Sequence, residues 1–415
     1  MLRLLAAASL PATLALALAV PAAPPLPRSG FVPASASSTD LQRQLQAALS
    51  SGTARGISAA VDVDGVGAVF RSSSGNQQPP ASTEKLFTTF AALRLLTPSG
   101  RFATEVRTSG TRVGTTQVGN LFLVGGGDPF LTMTSLDHLA AAVSSAGIAR
   151  ITGRVYVDDF RYDQVHHGPG WKPEWVPEES GPLSALAVDG NTWRKDPAYL
   201  SDPAAGNVAR FQALLAGHGV SVSTRIGRNR VTAGSTLVAS QSSALMSAIV
   251  RRINKDSNNF GAELLLKEIG YVRRHVGSTA AGAAGLHDVL LPLKVTLGTV
   301  ADGSGLSSQN RQSAANELSV LSAAAISTVY QPFFDSLPVA CKDGTLKKRM
   351  CGTAASQVTH AKTGSLDTAR TLAGWTLTAD GRLARFSFLL AGFSSSTSAN
   401  AALDRATVVL ASAHL

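Results

Sequence analysis

The 415-residue chain is 44% hydrophobic and 15% charged, enough apolar material to bury one large core or a core with an inserted domain. Its net charge of +10 favours anionic surroundings through long-range steering, although a solvated basic face accounts for the excess equally well. A nucleic-acid partner is excluded, because there is neither an Arg/Lys cluster interleaved with aromatics nor a recognised binding motif.

Residues 1–22 are expected to be a secretory signal. Arg3 gives a positive start, Leu4 to Val20 is apolar, and Ala17-Leu18-Ala19 or Val20-Pro21-Ala22 supplies small residues for cleavage. The alternative, a transmembrane anchor, is disfavoured by Ser9, Pro11 and Thr13, which interrupt the run. No cysteine follows it to make a lipoprotein site, and no later segment is apolar for long enough to span a bilayer. Residues 23–38, rich in Pro, Ala and Ser, read as a flexible leader. An exported basic protein would meet an anionic cell wall or membrane surface.

Thr39 or Asp40 is expected to cap a helix whose Leu41, Leu45 and Leu49 share a face. Residues 56–70 suit a strand pair turning at Asp64-Gly65. A helix then starts near Ser82, with Leu86, Phe90 and Leu93 at helical spacing, and ends at Thr97-Pro98-Ser99-Gly100. From 101 to 240 short apolar runs alternate with turn signals, as in Leu121–Val124 before Gly125-Gly126-Gly127-Asp128-Pro129 and Gly153–Val157 before Asp158-Asp159. A helix with Leu139, Val143 and Ile148 lies between them, and the stretch reads as an inserted α/β unit. Residues 241–270 return to helix, with Leu245, Ile249 and Ile253 on one face, a break at Asp256-Ser257-Asn258-Asn259, and then Leu264, Leu265 and Ile269. Thr371–Leu377 and Leu383–Leu390 flank the hairpin signal Asp380-Gly381, and 400–415 reads as a packing helix. This order fits an α/β chain of α+β type: a mostly antiparallel sheet covered by terminal helices, with residues 39–100 and 241–415 flanking the insertion at 101–240.

Three short motifs carry the chemistry: Ser82-Thr83-Glu84-Lys85, Ser257-Asn258-Asn259 and Lys362-Thr363-Gly364. Each is common by chance; their order and local context are what matter. Ser82 and Lys85, three apart at a helix start, share a face, so a lysine of lowered pKa could take the proton of an otherwise poor nucleophile. Neighbouring cations as well as burial are expected to lower it. The helix N-terminus adds free N–H groups, and that of Ser82 can serve an oxyanion. Ser257 and Asn259 sit at an interhelical break, where a hydroxyl can relay a proton and an amide can hold a peptide carbonyl. Lys362-Thr363-Gly364 is expected to precede a strand, with Lys362 and Thr363 binding a carboxylate and Gly364 letting backbone approach a ligand. The bland readings are a capping Ser with a solvated Lys, a polar loop, and an ordinary strand entry.

Cys341 and Cys351 are the two cysteines. Export permits a disulfide, which would brace the loop before Lys362 and, closing so short a loop, stabilise by roughly 2–3 kcal/mol. A nucleophilic or metal-binding thiol is disfavoured, since no Cys-x-x-Cys or His cluster of ligand spacing accompanies them.

With the three motifs, the stretches Gly119-Asn120-Leu121-Phe122-Leu123-Val124-Gly125-Gly126-Gly127-Asp128-Pro129, Asp302-Gly303-Ser304-Gly305-Leu306-Ser307 and Asp343-Gly344-Thr345-Leu346 make the chain resemble a D-alanyl-D-alanine carboxypeptidase of the class C low-molecular-mass penicillin-binding proteins, peptidase family S13. The resemblance spans about 40–415. It implies a penicillin-binding-protein/serine β-lactamase-like transpeptidase fold and peptidoglycan stem peptides ending in D-Ala-D-Ala as substrate, with β-lactams as covalent inhibitors. No metal or organic cofactor is implied. Carried over by motif, Ser82 resembles the acylated nucleophile, Lys85 its base, Ser257 the relay to the leaving D-Ala, and Asn259 the clamp on the substrate amide. Lys362 sets the electrostatics, Thr363 contacts the carboxylate, and Ser365, where Thr is often found, lends an N–H with that of Ser82 to the oxyanion hole. The loop Pro169–Trp175 with Glu178 and Glu179 could hold the cationic end of a stem peptide, and Asp302 belongs to a tight turn.

Other classes fit less well. A Ser-His-Asp hydrolase would need a G-x-S-x-G, and a metallopeptidase an H-E-x-x-H; neither is present. A β-lactamase shares the acylation step, but the long insertion argues against it. A silent wall-binding or antibiotic-sensing module remains as a non-enzymatic alternative.

Overall fold

Helix α1 (Ser38–Ser50) opens the described part of the chain, residues 38–222 and 225–415 of a computed structural model. The expected signal and leader fall outside the described residues, apart from Ser38. Leu41, Leu45 and Leu49 are all buried on the inner face of α1. Thr39 and Asp40 do not cap it; they lie inside its first turn, where the Asp40 carboxylate accepts from Gln44 Nε2 at 2.7 Å. Strands β1 (Gly56–Val63) and β2 (Gly67–Ser72) follow as an antiparallel pair. Ser82 is not yet in an α-helix. Residues Ala81–Glu84 form a 3₁₀ turn, and α2 (Lys85–Leu96) begins at the lysine, with Leu86, Phe90 and Leu93 buried.

Residues 103–242 build their own layers. The strands are β3 (Ala103–Thr108), β4 (Thr111–Val113), β5 (Thr116–Val118) and β6 (Leu121–Val124). Helix α3 (Met133–Ser145), β7 (Arg150–Ile151), β8 (Val155–Asp158), α4 (Pro197–Ser201), α5 (Pro203–Gly217), β9 (Ile226–Arg228) and β10 (Thr236–Ser242) complete them. The five-stranded sheet runs β10-β3-β6-β8-β9. Its first pairings are antiparallel, and β6, β8 and β9 are parallel to one another. Helices α3 and α5 cover one face, burying Leu139, Val143 and Phe211 against Leu121, Leu123 and Val155. Ile148 lies beyond the end of α3 yet is buried in the same cluster. The strand expected to start at Gly153 begins at Val155, because Gly153 N–H is bonded to the Gly119 carbonyl outside the ladder.

The chain then returns through α6 (Met246–Asp256), α7 (Asn259–Arg274), α8 (Thr279–Leu290), α9 (Ala314–Ala325) and α10 (Tyr330–Ser336). Leu245 precedes α6 and is exposed. The buried face of α6 is Met246, Ile249, Val250 and Ile253, so Ile249 and Ile253 bury as expected and Met246 takes the place of Leu245. Strands β11 (His360–Leu366), β12 (Ala369–Leu377) and β13 (Leu383–Ala391) and helix α11 (Ser396–Ala411) close the fold. The β12–β13 hairpin pairs Leu377 with Leu383 across Asp380-Gly381, where Gly381 has φ = +80°.

The first sheet, β11-β12-β13-β1-β2, is antiparallel throughout. Helices α1 and α11 bury leucines and alanines on one face with Phe386 and Phe388. On the other, α2, α6, α7 and α8 pack with α9 and α10 around Phe87, Phe90, Phe333 and Trp375. An antiparallel sheet between helical layers, joined to a mixed second sheet, is an α+β architecture.

Candidate active site

The turn bearing Ser82 is shaped by its neighbours. Ala81 has φ = +50°, a strained conformation for a residue with a Cβ. The Pro80 carbonyl accepts from Thr83 N–H at 3.3 Å and Thr371 Oγ1 at 2.8 Å, and lies 2.7 Å from Thr83 Oγ1. Gly364 of β11 passes directly over this turn. A Cβ there would lie 2.0 Å from Thr371 Oγ1 and 2.7 Å from the Pro80 carbonyl oxygen. Glycine at this position lets the strand pack on the Ser82 turn.

Lys85 is fully buried, and its Nζ has three contacts: Ser82 Oγ at 2.9 Å, Asn259 Oδ1 at 2.8 Å and the Ser304 carbonyl at 2.6 Å. The Asn259 amide is oriented by its Nδ2, which donates to the Glu179 carbonyl at 3.0 Å. Two of the three partners can therefore only accept. A neutral amine has two N–H groups and one lone pair, so those acceptors take both hydrogens and leave the lone pair for the Ser82 hydroxyl. Burial lowers the Lys85 pKa to about 7, opposed by the carboxylates of Asp302, Glu263, Glu84 and Glu179. Desolvation outweighs these acids, and the expected cationic neighbour is Lys362, which repels Lys85 as Lys85 repels it.

The Ser304 carbonyl is itself held in place. Glu263 Oε1 accepts from Gly303 N–H at 3.0 Å and Ser304 N–H at 2.7 Å, and burial pushes its pKa up to about 8. Glu84 is also buried, held by Gln312 Nε2 at 3.1 Å, and desolvation raises its pKa strongly. Asp302 organises the turn beside them, accepting from Gly305 N–H (2.8 Å), Ser307 N–H (2.6 Å), Asn310 Nδ2 (2.7 Å) and Trp171 Nε1 (2.8 Å). The loop Pro169–Trp175 is thus tied to that turn through its tryptophan.

Ser257 caps the C-terminus of α6 with φ = +56°. Lys362 Nζ donates to Ser257 Oγ at 2.9 Å and to the Thr363 carbonyl at 2.8 Å. Burial, with Lys85 repelling it, holds the Lys362 ammonium well below its ordinary pKa. Lys362, Thr363 and Gly364 lie inside β11 rather than before it. The strand starts early because the Ala361 N–H bonds the Pro338 carbonyl and the Ala340 N–H bonds the Thr359 carbonyl, adding a short partner on its outer side. Ala361 N–H therefore points away from β12. By strand alternation so do those of Thr363 and Ser365, beyond the end of that partner and toward the cleft.

The cleft, about 340 Å³, is lined by Ser82, Ser257, Asn259, Thr363, Ser365 and Leu366, with Glu179, Asp256 and Thr345 among its other walls. Thr345 Oγ1 lies 2.7 Å from Thr363 Oγ1. Thr345 sits on the loop closed by the Cys341–Cys351 disulfide, and Asp343 ties that loop to Lys255 Nζ at 2.6 Å. Glu178 pairs outside the cleft with Lys195 at 2.6 Å; Glu179 reaches the cleft wall. Sequence reasoning missed Glu263 and Thr345. Glu263 lies one turn beyond Asn259 on the same face of α7, a spacing that could have flagged it. Thr345 stands in a stretch already singled out.

Comparison with known proteins follows the same outline. The family model described as D-Ala-D-Ala carboxypeptidase 3 (S13) matches residues 41–197 and 198–414. A D-alanyl-D-alanine carboxypeptidase of Actinomadura sp. (strain R39) is 31% identical over 391 residues, 75% of this chain and 73% of the relative. Carboxypeptidase DacB of Mycolicibacterium smegmatis is 30% identical over 75% of this chain and 70% of the relative. Among solved structures, penicillin-binding protein 4 of Haemophilus influenzae superposes with a TM-score of 0.76 at 21% identity, covering 90% of this chain and 98% of that one.

Proposed function

The chain belongs to the D-Ala-D-Ala carboxypeptidase 3 (S13) family of serine carboxypeptidases, and from that premise we propose that it cleaves the terminal D-Ala-D-Ala bond of peptidoglycan stem peptides through an acyl-enzyme on Ser82. The observation that carries this reading is the lone pair of Lys85 Nζ, left facing Ser82 Oγ by two acceptor-only partners.

In this mechanism Ser82 Oγ attacks the carbonyl carbon of the penultimate D-Ala while Lys85 takes its proton. The oxyanion rests on the N–H groups of Ser82 and Ser365. As the C–N bond breaks, a proton passes through the Ser257 hydroxyl to the leaving amine, and D-Ala departs. Water then attacks the ester, Lys85 takes the water proton, and Ser82 is regenerated. Asn259 holds the substrate amide; Thr363, with Lys362 beneath it, receives the terminal carboxylate. The same attack on a cross-link would make the protein an endopeptidase. β-Lactams would acylate Ser82 as substrate mimics.

The expected signal at residues 1–22 supports action outside the cytoplasm, as does the disulfide, which suits an oxidising compartment. The basic surface would favour an anionic wall or membrane surface. Residues 101–240, with their own sheet and core, would form the inserted domain of a catalytic domain made of 39–100 and 241–415.

The test is a time course of intact mass after adding benzylpenicillin, run beside Ser82→Ala. A lasting one-equivalent adduct, absent from the variant, is expected. An adduct that vanishes while penicillin is consumed would make the protein a β-lactamase, and no adduct would leave a silent binding module.

A further inference from the structure

A second cleft lies outside the carboxyl ends of the three parallel strands β6, β8 and β9. Open α/β sheets favour ligand binding at that place, because the loops leaving parallel strands diverge there and leave backbone groups unpaired by the ladder. Gly125 and Gly126 follow β6, Phe160 and Arg161 follow β8, and Arg230 follows β9. Helix α7 closes the far side with Glu268 and Tyr271. The cavity is about 540 Å³, and a neighbouring hollow of about 720 Å³ shares Phe160, Arg161, Arg230 and Tyr271 with it. Neither hollow includes a residue of the Ser82 cleft.

The charges in the main cavity are unequally committed. Glu105 pairs with Arg107 at 2.9 Å. Asp158 accepts from Phe160 N–H at 3.2 Å and Val231 N–H at 2.7 Å. Glu268 takes both forks of Arg161, at 2.8 and 2.6 Å, and the Tyr162 hydroxyl at 3.1 Å. Every acid in the lining is thus answered. Two cations are not. Arg230 lies over the Phe160 ring at 4.8 Å and has no carboxylate partner among the described residues. Arg101 bonds one backbone carbonyl, that of Ser243, and has no carboxylate partner either.

We infer that this cleft is a second binding site, taking the free carboxylate of a short peptide. The planar guanidinium fork of Arg230 or Arg101 matches a carboxylate in two parallel hydrogen bonds. The rings of Phe160 and Tyr271 line the cavity beside these arginines and would face the residues behind the carboxylate. The second site stands apart from the acyl-enzyme chemistry, since no residue is shared between the two.

The full chain carrying Ser82→Ala, which can neither turn over nor be acylated, would be titrated with N-acetyl-D-alanyl-D-alanine by calorimetry and by NMR of the arginine Nε–H signals. Two bound equivalents are expected, with Arg101 and Arg230 resonances moving during the second. Adding Arg101→Ala and Arg230→Ala should weaken that second equivalent by about tenfold or more, the loss of a charged hydrogen bond, and leave the first alone. The dipeptide C-terminal amide should leave the Arg101 and Arg230 signals unmoved, and it should also weaken at the first site, where Thr363 receives the carboxylate. Arginine signals that stay still throughout the titration, or an amide that moves them as well as the acid does, would overturn the inference. Inorganic phosphate displacing the second equivalent at the same concentration would overturn the carboxylate assignment. A missing first equivalent with the second present would remove the Ser82 reading and leave this one standing. The arginine signals are read in the protein without the double substitution, so the outcome does not depend on that variant folding.

Discussion

Lys85 shows how burial can prepare one side chain to act as a base without a histidine. Its charge is disfavoured by burial, while the carboxylates of Asp302, Glu263, Glu84 and Glu179 pull the other way, and the balance leaves it at about 7. At that value the neutral form is abundant at neutral pH, and the geometry gives its lone pair one destination, Ser82 Oγ. The consequence is a definite pH profile for acylation. Below about pH 7 the second-order rate with benzylpenicillin should rise roughly tenfold per pH unit, then level off as Lys85 becomes neutral. Stopped-flow acylation of the intact protein across that range measures it. A rate that is flat through the acid side would mean that Lys85 does not take the proton.

At the scale of elements, the site is assembled where a strand crosses a turn. The β11 backbone reaches the Pro80–Ser82 turn because position 364 has no side chain, and Thr371 of β12 bonds the same Pro80 carbonyl. Gly364→Ala would put a methyl 2.0 Å from Thr371 Oγ1, which cannot swing aside without losing its bond to Pro80. Strand and turn must then separate. Overpacking of this kind costs on the order of 1–3 kcal/mol, but the larger effect should fall on acylation, because the Ser365 N–H and Ser82 N–H are on the two elements that move apart. Acylation kinetics set beside a thermal melt would show it; a loss of stability with unaltered acylation would confine Gly364 to the fold. This contact also marks the limit of what could be read in the sequence. The three motifs were legible because their spacing is local, and so were the buried leucines of α1 and α2, whose faces follow from helical period. The partner of Gly364 was not, since it lies in a turn 284 positions away in the chain (364 − 80). The same holds for Glu263, whose meaning comes from the Gly303-Ser304 peptide. On α6 only Leu245 was misplaced, because it is as apolar as Ile249 and Ile253, and only the return from β10 puts it before the helix.

Across the whole molecule, Glu317 ties the layers together. It comes from α9, which packs on the first sheet, and it contacts Thr83 in the nucleophile turn and Ser387 on β13, whose Oγ donates to it at 2.8 Å. No cation is among its partners. Thr83 Oγ1 has one hydrogen and three acceptors in reach, the Pro80 carbonyl, Glu317 and Thr371 Oγ1. A protonated Glu317 can donate to Thr83 while Thr83 donates to Pro80; an ionised one accepts from Thr83 and leaves Pro80 to Thr371 Oγ1 and the Thr83 N–H. Burial pushes the Glu317 pKa from 4.5 up to about 7, with both hydroxyls, as donors to the carboxylate, opposing the shift. Because the folded value is raised, the stability it contributes is complete below about 4.5, declines as pH rises, and is gone above about 7, a difference on the order of 3 kcal/mol. Glu317→Gln reproduces the protonated form: its amide N–H can donate to Thr83 and its carbonyl can accept from Ser387. Denaturant unfolding at about pH 5 and about pH 8 should therefore find the variant and the parent similar in acid, and the variant more stable in base. An equal difference at both pH values would mean that Glu317 ionises in the folded protein as readily as in the unfolded chain, so that its burial between α9, the sheet and the Ser82 turn carries no charge penalty.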